Sequence, residues 1–474
     1  MKEYRPAGAV IASELGAIAG AENVIFDDFD KMEPYSHDEV SDRNYSRMPE
    51  IVVRPDSAGQ VSAILKLANR ENIPVTPRGA GSGLSGGAVP ARGGIVLSTE
   101  RMNRVLEIDR ENLIAVLEPG VITNDFNTLV RREGLFFAGY PMSLEVCFIG
   151  GNAAENAGGG RAVKYGVTGR YITGLEVVLP TGEICTFGGK RVKDVTGYNM
   201  VQLMVGSEGT LGIFTKIYVK LLPLPRAGID MMVLFADVRS AINAVPLIMT
   251  KTGIVPTGIE FMDKVSLDTT CEFLGEKKRH REAGAVLIIE LDGNDPDLIR
   301  NECLDIGDLC LDNGALDAFV AEGPSDREKI WKVRRHAAEA FKAISPEQSV
   351  EDIVVPVSKI PALIPILEEL SAKHNVIIPC YGHAGDGNMH ATVVKKPGES
   401  MESWRKTLPL VLREMYTQVG ELGGTISGEH GIGHKRKDYL PIVLGEAEIG
   451  AMQKIKVALD PNNILNPGKI FDLD

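Results

Sequence analysis

Apolar residues in the first half of the chain switch between a period near 3.6 and short runs, and the switches predict elements. Residues 1–49 read as a helical lead-in with Ala7, Val10, Ile11, Leu15 and Ile18 on one stripe, followed by a polar connector. Ile51-Val52-Val53-Arg54-Pro55 is a predicted strand. Asp56 or Ser57 then caps a helix whose residues Val61, Ile64, Leu65 and Ala68 recur at i, i+3, i+4 and i+7. Asn72 ends that helix, and Ile73-Pro74-Val75-Thr76 begins a second strand. The pattern repeats as a strand at Leu113–Leu117 and a helix from Thr123 to Arg132 closed by Gly134, and Val177–Ile184 turns as a hairpin. Strands alternating with helices in this way indicate an α/β or α+β domain.

Two prolines in Leu221-Leu222-Pro223-Leu224-Pro225 interrupt the pattern, and glycine clusters stop there. Beyond them, long helical stretches alternate with strands such as Ala285–Leu291, and the glycine-rich style resumes at Gly420. The expected organisation is therefore a first domain over 1–225, a second over 226–420, and a segment 421–474 that returns to the first. No internal repeat or low-complexity segment is visible.

At 474 residues, with 44% hydrophobic and 24% charged positions, the chain has ordinary globular composition and length for two or three domains. Its 51 Lys plus Arg against 64 Asp plus Glu leave a formal charge of -13, the wrong sign for a polyanion-binding protein. No apolar run approaches a membrane span, and Met1–Pro6 carries no signal-peptide pattern. The six cysteines include no C-x-x-C pair, which argues against an iron–sulfur or zinc-ribbon site and leads us to expect reduced thiols and a cytoplasmic location.

Composition changes the picture only through glycine, with 51 residues gathered in clusters. Pro77-Arg78-Gly79-Ala80-Gly81-Ser82-Gly83-Leu84-Ser85-Gly86-Gly87 contains a G-x-G-x-x-G, but a strand (Ile95-Val96-Leu97) follows where a Rossmann fingerprint needs a helix, and no Gly-Lys-Ser/Thr follows for a Walker loop. What remains is either a surface turn or a concavity of bare backbone N–H groups able to hold a pyrophosphate. Gly150–Gly160 and Val205–Ile213 have the same character, and three such loops point to one extended, nucleotide-sized cofactor.

Four of eight histidines fall within residues 383–434: His383 and His390 in Tyr381–His390, His430 and His434 in Ser427–His434. Two imidazoles plus a carboxylate with an open position are a common catalytic arrangement for Zn²⁺ and similar ions. On that reading His383, His390 and Glu429 are ligands and His430 is free as acid or base. The competing readings are that these are unrelated loop histidines, or that Glu429 only orients one imidazole.

On these blocks, together with Arg161-Ala162-Val163-Lys164-Tyr165-Gly166 and Asn463-Ile464-Leu465-Asn466-Pro467-Gly468-Lys469, the chain from about Tyr35 onward resembles the FAD-dependent D-2-hydroxyacid dehydrogenase family. That family includes D-lactate dehydrogenase, D-2-hydroxyglutarate dehydrogenase and the flavin subunit of bacterial glycolate oxidase. The resemblance implies an α+β fold with a vanillyl-alcohol-oxidase type FAD-binding domain and a second, substrate-binding cap domain. It implies FAD lined by Pro77, Arg78, Gly79, Ala80, Gly81, Ser82, Gly83, Pro141, Gly151, Asn152, Gly158, Gly159, Glu208 and Ile213, with Asn388, Glu429 and Asn466 toward the isoalloxazine. It further implies a divalent metal (Zn, Fe or Mn) on His383, His390 and Glu429, His430 as catalytic base, and Arg334 in Trp331-Lys332-Val333-Arg334-Arg335 as the carboxylate clamp. The Arg78 loop contains no His, so non-covalent FAD is expected. Glu351-Asp352 stand where relatives acting on 2-hydroxyglutarate carry a lysine, which favours D-lactate or glycolate over that dicarboxylate.

The expected activity is oxidation of a small D-2-hydroxy acid, with electrons leaving to an external acceptor: oxygen, an electron-transfer flavoprotein, a cytochrome or a quinone-linked subunit. A homodimer or a heteromeric complex is compatible with it, and peripheral attachment to a membrane would come through a partner. The rivals are D-2-hydroxyglutarate oxidation, a metal-dependent hydrolase without flavin, a non-redox relative that uses FAD to assemble a lipid-like substrate, and an inactive flavin-binding partner subunit.

Overall fold

A computed structural model describes residues 3–139, 141–276, 282–321 and 323–473. The chain divides into two compact units, the first formed by residues 1–158, 167–224 and 429–474 and the second by 159–166 and 225–428.

The first unit contains a four-stranded sheet in the order Val24–Ile25, Ile51–Val53, Ile95–Ser98, Val75–Arg78, whose last three strands are parallel. Helix Ala58–Glu71 makes the crossover and buries Val61, Ile64, Leu65 and Ala68 against Ile51, Val53, Val75, Ile95 and Leu97. It stops where Asn72 takes the left-handed conformation at φ 53°, a geometry asparagine tolerates better than most residues. A five-stranded antiparallel sheet runs in the order Val105–Asp109, Ile114–Leu117, Ile213–Lys220, Ile172–Val178, Ile184–Gly188, the last two strands forming the expected hairpin.

The lead-in departs from expectation. Only Ala9–Ala19 of it is a long helix, and Ile11, Leu15 and Ala19 form its buried row, whereas Val10 is 68% exposed. One residue advances the helix by about 100°, so Val10 and Ile11 cannot share a narrow stripe.

The C-terminal segment pairs with the strand Val75–Arg78: Val75 donates its N–H to the Ile464 carbonyl at 2.7 Å, and Asn466 N–H returns a bond to the Val75 carbonyl at 2.7 Å. Inside helix Glu446–Leu459, the buried Lys456 ammonium donates to Asp460 Oδ2 at 2.5 Å and to the carbonyls of Thr210 and Leu465 at 2.8 and 2.7 Å.

The second unit is built on a seven-stranded antiparallel sheet in the order Ala315–Val320, Ala227–Phe235, Ala285–Gly293, Gly258–Asp263, Cys380–His383, Asn388–Val394, Gln348–Val354. Two apolar clusters cover parts of one face: Leu234, Val286 and Ile288 under Ile330, Trp331 and Val333, and Met262, Tyr381 and Val394 under Ala337 and Phe341. Residues 159–166 belong to this unit although their sequence neighbours belong to the other. Arg161 grips Glu290 at 2.9 and 2.6 Å, and Lys164 and Tyr165 both donate to Asp292. Gly420, read from sequence as the start of a glycine-rich return, lies inside helix Met401–Glu421, and the unit continues to Gly428. One glycine among good helix formers costs only about 1 kcal/mol and does not end a helix, whereas Gly423, at φ 77°, follows it directly.

Asp460→Ala should destabilise the first unit by about 3–5 kcal/mol, because it leaves the buried Lys456 charge without its partner. Chemical denaturation showing a loss below about 1 kcal/mol would refute that role for the pair.

Candidate functional site

In the first unit a cleft runs from the turn after strand Val75–Arg78 to Glu429 and His430. Its lining includes Pro77, Arg78, Gly79, Ala80, Gly81, Ser82, Gly83, Pro141, Gly151, Asn152, Gly158, Glu208, Ile213 and Glu429. The Arg78 guanidinium is spent on scaffold: Nη1 and Nη2 donate to the carbonyls of His37 and Pro34 at 2.7 and 2.8 Å, above the Tyr35 ring. The turn therefore offers a ligand its backbone N–H groups. Gly81 sits at φ 76°, and a Cβ there would overlap the Arg78 guanidinium. Asp38 fastens the far side of the turn by accepting from Gly86 N–H at 2.8 Å, although burial pushes its carboxyl up.

The second glycine cluster is largely a short helix, Ile149–Glu155. Its glycines answer to different neighbours. A Cβ on Gly150 would meet Pro119 at 2.5 Å, Gly151 has nothing within 4 Å, and a Cβ on Gly158 would stand 2.9 Å from Glu429 Oε2. Asn152 is oriented by its bond to Thr123 Oγ1 at 2.7 Å. Gly159 falls in the second unit and does not line the cleft.

Glu208, at φ 52°, accepts from the N–H groups of Ile432 and Gly433 at 2.8 and 2.6 Å and so holds the turn that carries Glu429 and His430. Asn466 donates to the carbonyls of Gly87 and Glu208 at 3.1 and 2.8 Å, a bracing position behind the lining. A Cβ on Gly431 would overlap Glu155 Oε2 and stand 3.1 Å from Glu208 Oε1. Burial, with Glu208 nearby, holds the Glu155 carboxyl well above the usual carboxylate range. Behind these acids burial drives the Lys469 ammonium down to about 7, with Nζ donating to the Val89 carbonyl at 2.5 Å. His430 Nε2 lies 3.5 Å from Glu429 Oε1. Asp38, Phe148 and Glu155 line the cleft without having been singled out from sequence, and no local motif marks them.

A cleft with bare backbone at one end and a polar end at Glu429 and His430 fits a long dinucleotide with a phosphate middle. Gly151, whose Cβ position has nothing within 4 Å, leaves open space along the lining.

In the second unit, strand register assembles a polar row. Directly opposed residues of antiparallel strands share a face. Glu260 opposes His383, Tyr381 opposes His390, and His390 opposes Asp352. Glu260, His383, His390 and Asp352 therefore crowd one face, and the two imidazoles stand 5.1 Å apart between ring centroids. His383 Nδ1 lies 2.5 Å from Glu260 Oε1, whereas His390 Nδ1 is 3.7 Å from Asp352 Oδ1. Asn388 donates to Asp352 Oδ1 at 2.8 Å, and Ser427 Oγ and Gly428 N–H donate to its other oxygen at 2.7 and 2.9 Å. Arg334, near the end of helix Pro324–Arg335, donates from Nε to Glu260 Oε2 at 2.6 Å and lies 4.8 Å over the Tyr381 ring. Burial alone would raise Glu260, but Arg334 and His383 outweigh it and hold the carboxyl below its ordinary range. Two imidazoles on one buried face, each with a carboxylate near its Nδ1, are donors of the kind that Zn²⁺, Fe²⁺ or Mn²⁺ takes. The sequence reading named both histidines and Arg334 but not Glu260.

The chain belongs to the FAD-linked oxidases: the family described as "FAD binding domain" matches residues 49–188, and "FAD linked oxidases, C-terminal domain" matches residues 224–470. It is an FAD-dependent oxidoreductase whose relatives are D-2-hydroxyacid dehydrogenases. It is 38% identical to the glycolate oxidase subunit GlcD of Bacillus subtilis, over 98% of this chain and 97% of that protein. It is 38% identical to a D-lactate dehydrogenase of Anaerostipes hadrus over 92% of each chain, and 37% identical to one of Archaeoglobus fulgidus over 93% of this chain and 96% of that one. Among solved structures, p-cresol methylhydroxylase with substrate bound superposes with a TM-score of 0.81 over 97% of this chain and 96% of that one at 18% identity, a likeness of fold alone. The fold is of the vanillyl-alcohol-oxidase type. Among the described residues no helix is long and apolar enough to cross a membrane.

Gly81→Ala should weaken FAD binding at least about tenfold, since the new methyl is strained at φ 76° and must displace the Arg78 guanidinium. Titrating apoprotein with FAD by flavin fluorescence measures it. Gly59→Ala, at a helix position with nothing within 4 Å, is the control and should leave the dissociation constant unchanged.

Proposed function

We propose that this protein oxidises a small D-2-hydroxy monocarboxylate, D-lactate or glycolate, to the 2-oxo acid and passes the electron pair to an acceptor outside the chain. The observation that carries the reading is the buried row of Glu260, His383, His390 and Asp352 with Arg334 beside it, in a chain whose FAD cleft ends at His430. The names of the full-length relatives support it.

Bound FAD supplies a two-electron acceptor for the C–H bond of the alcohol carbon. Removing the hydroxyl proton needs a base, and His430 takes that part, a contribution of about 10²–10⁴-fold for a well-placed imidazole. His383, His390 and Glu429 would hold a divalent ion, whose Lewis acidity would make the hydroxyl more acidic. Arg334 aims the substrate through its carboxylate, using the part of its guanidinium that does not face Glu260, to which Nε and Nη2 both stand at 2.6 Å. The reading requires one substrate molecule to meet both sets of residues.

A monocarboxylate is favoured because the sheet face already carries Glu260 and Asp352. On the opposite face Glu351 is consumed by Ser349 Oγ and Tyr416 OH, so no cation in that stretch answers a second substrate carboxylate. FAD is held without a covalent bond. GlcD is named as a subunit, which supports a partner protein as acceptor, such as an electron-transfer flavoprotein, a cytochrome or a quinone-linked subunit.

Under anaerobic conditions D-lactate or glycolate should bleach the bound flavin and D-2-hydroxyglutarate should do so far more slowly. Failure of every D-2-hydroxy acid to bleach it ends the proposal. His430→Ala should keep its FAD and lose about 10²–10⁴-fold in kcat. Treatment with a strong chelator should abolish flavin reduction, and Zn²⁺, Mn²⁺ or Fe²⁺ should restore it.

A further inference from the structure

We infer that Glu260 is a positioning residue that couples the metal-binding histidine to the substrate-binding arginine, because its two carboxylate oxygens are divided between His383 and Arg334. The inference rests on the proposed metal and carboxylate roles of those two residues and adds a third that neither role requires. Oε1 faces His383 Nδ1 at 2.5 Å and Oε2 faces Arg334 Nε at 2.6 Å. An ionised carboxylate only accepts, so the Nδ1 of His383 carries the hydrogen and Nε2 carries the lone pair that an ion would use. A carboxylate behind a ligating imidazole in this way fixes the ring and raises its basicity. His390 Nδ1 lies 3.7 Å from Asp352 Oδ1, a longer approach than the 2.5 Å between His383 and Glu260.

The same carboxylate orients the guanidinium. Arg334 lies between Glu260 and the Tyr381 ring, fully withdrawn from solvent, so its fork cannot swing without breaking the Oε2 bond. Glu260 is itself held from the other side. A Cβ on Gly160 would come within 2.6 Å of Oε1 and 3.5 Å of His383 Nδ1, so the last glycine of the Gly158–Gly160 run is explained by this carboxylate. Segment 159–166 is locked over the sheet by Arg161 on Glu290 and Lys164 on Asp292.

The experiment uses FAD-loaded full-length protein and two readouts: Zn²⁺ affinity by competition with a chromophoric chelator, and pyruvate affinity at saturating Zn²⁺ from the perturbation of the bound-flavin spectrum. Glutamine has one acceptor oxygen and turns N–H donors toward the second partner, so Glu260→Gln cannot serve both. Zn²⁺ should bind about 10–100-fold more weakly, and pyruvate should also bind more weakly with the metal site full. Asp263→Asn, a buried carboxyl on the same strand that accepts from Ser266 and Cys380 N–H, should lower stability and leave both affinities unchanged. Equal losses in the two variants, or unchanged Zn²⁺ affinity in Glu260→Gln, overturn the inference. If Glu260→Gln does not fold, Gly160→Ala takes its place, and it should weaken Zn²⁺ binding several-fold by displacing Oε1; unchanged affinity there overturns the inference equally. Wild-type protein that binds no Zn²⁺ defeats the metal reading itself, a result distinct from wild-type and variant binding alike.

Discussion

Charge placed on the buried face of a β-sheet is tolerated only where a neighbouring group answers it, and that constraint organises the second unit. Isolated, a buried carboxylate costs several kcal/mol in lost hydration. Here Glu260 is answered by Arg334 and His383, Asp352 by Asn388, Ser427 and Gly428, and Glu290 by Arg161. A slip of one residue in any of these strands would turn its polar side chain to the opposite face, among Phe261, Met389 and Ala391, and leave its partner unanswered. Register is thereby specified by electrostatics as well as by apolar packing.

The glycine clusters show how one residue type serves unrelated ends. In Gly158–Gly160, Gly158 makes room for Glu429 and Gly160 for Glu260, within different units. Gly150 is required by Pro119, while Gly151 faces open space in the cleft. Only some of these positions concern a flat ligand approaching the backbone. Others are places where a functional carboxylate passes too close to the chain for any Cβ. A dense glycine run can therefore report acids elsewhere in the sequence as well as a cofactor.

This division explains what could be read before the fold was known. The crossover helix ending at Asn72, the turn after Arg78 and the Val177–Ile184 hairpin depend on contacts a few residues apart, so their signals are local. His383 and His390 were legible for the same reason: they lie on one hairpin, and the diagonal relation across it puts them on one face. Glu260 stands more than a hundred residues from His383, in the strand Gly258–Asp263, and nothing local in that strand ties the acid to a histidine. Asp352 was noticed for its substrate implications, yet its opposition to His390 depends on a pairing no local pattern encodes. Gly159, Asn388 and Asn466 were assigned to the cofactor from motif position. The structure gives Asn388 to Asp352 and Asn466 to the carbonyls of Gly87 and Glu208, and places Gly159 outside the first unit.

Fold and chemistry separate along the same line. A likeness to p-cresol methylhydroxylase at 18% identity carries the architecture, and architecture does not specify a reaction. In this chain the cleft of the first unit is made mainly from backbone and small residues, which any dinucleotide of the right length satisfies. The second unit's sheet face is made from side chains in fixed opposition, and the proposed function puts the choice of substrate there. Exchanging the row of acids and imidazoles while keeping the strands would leave an FAD protein of the same shape with different chemistry. The converse change, in the turn following Arg78, would leave an intact polar face with no electron acceptor to serve.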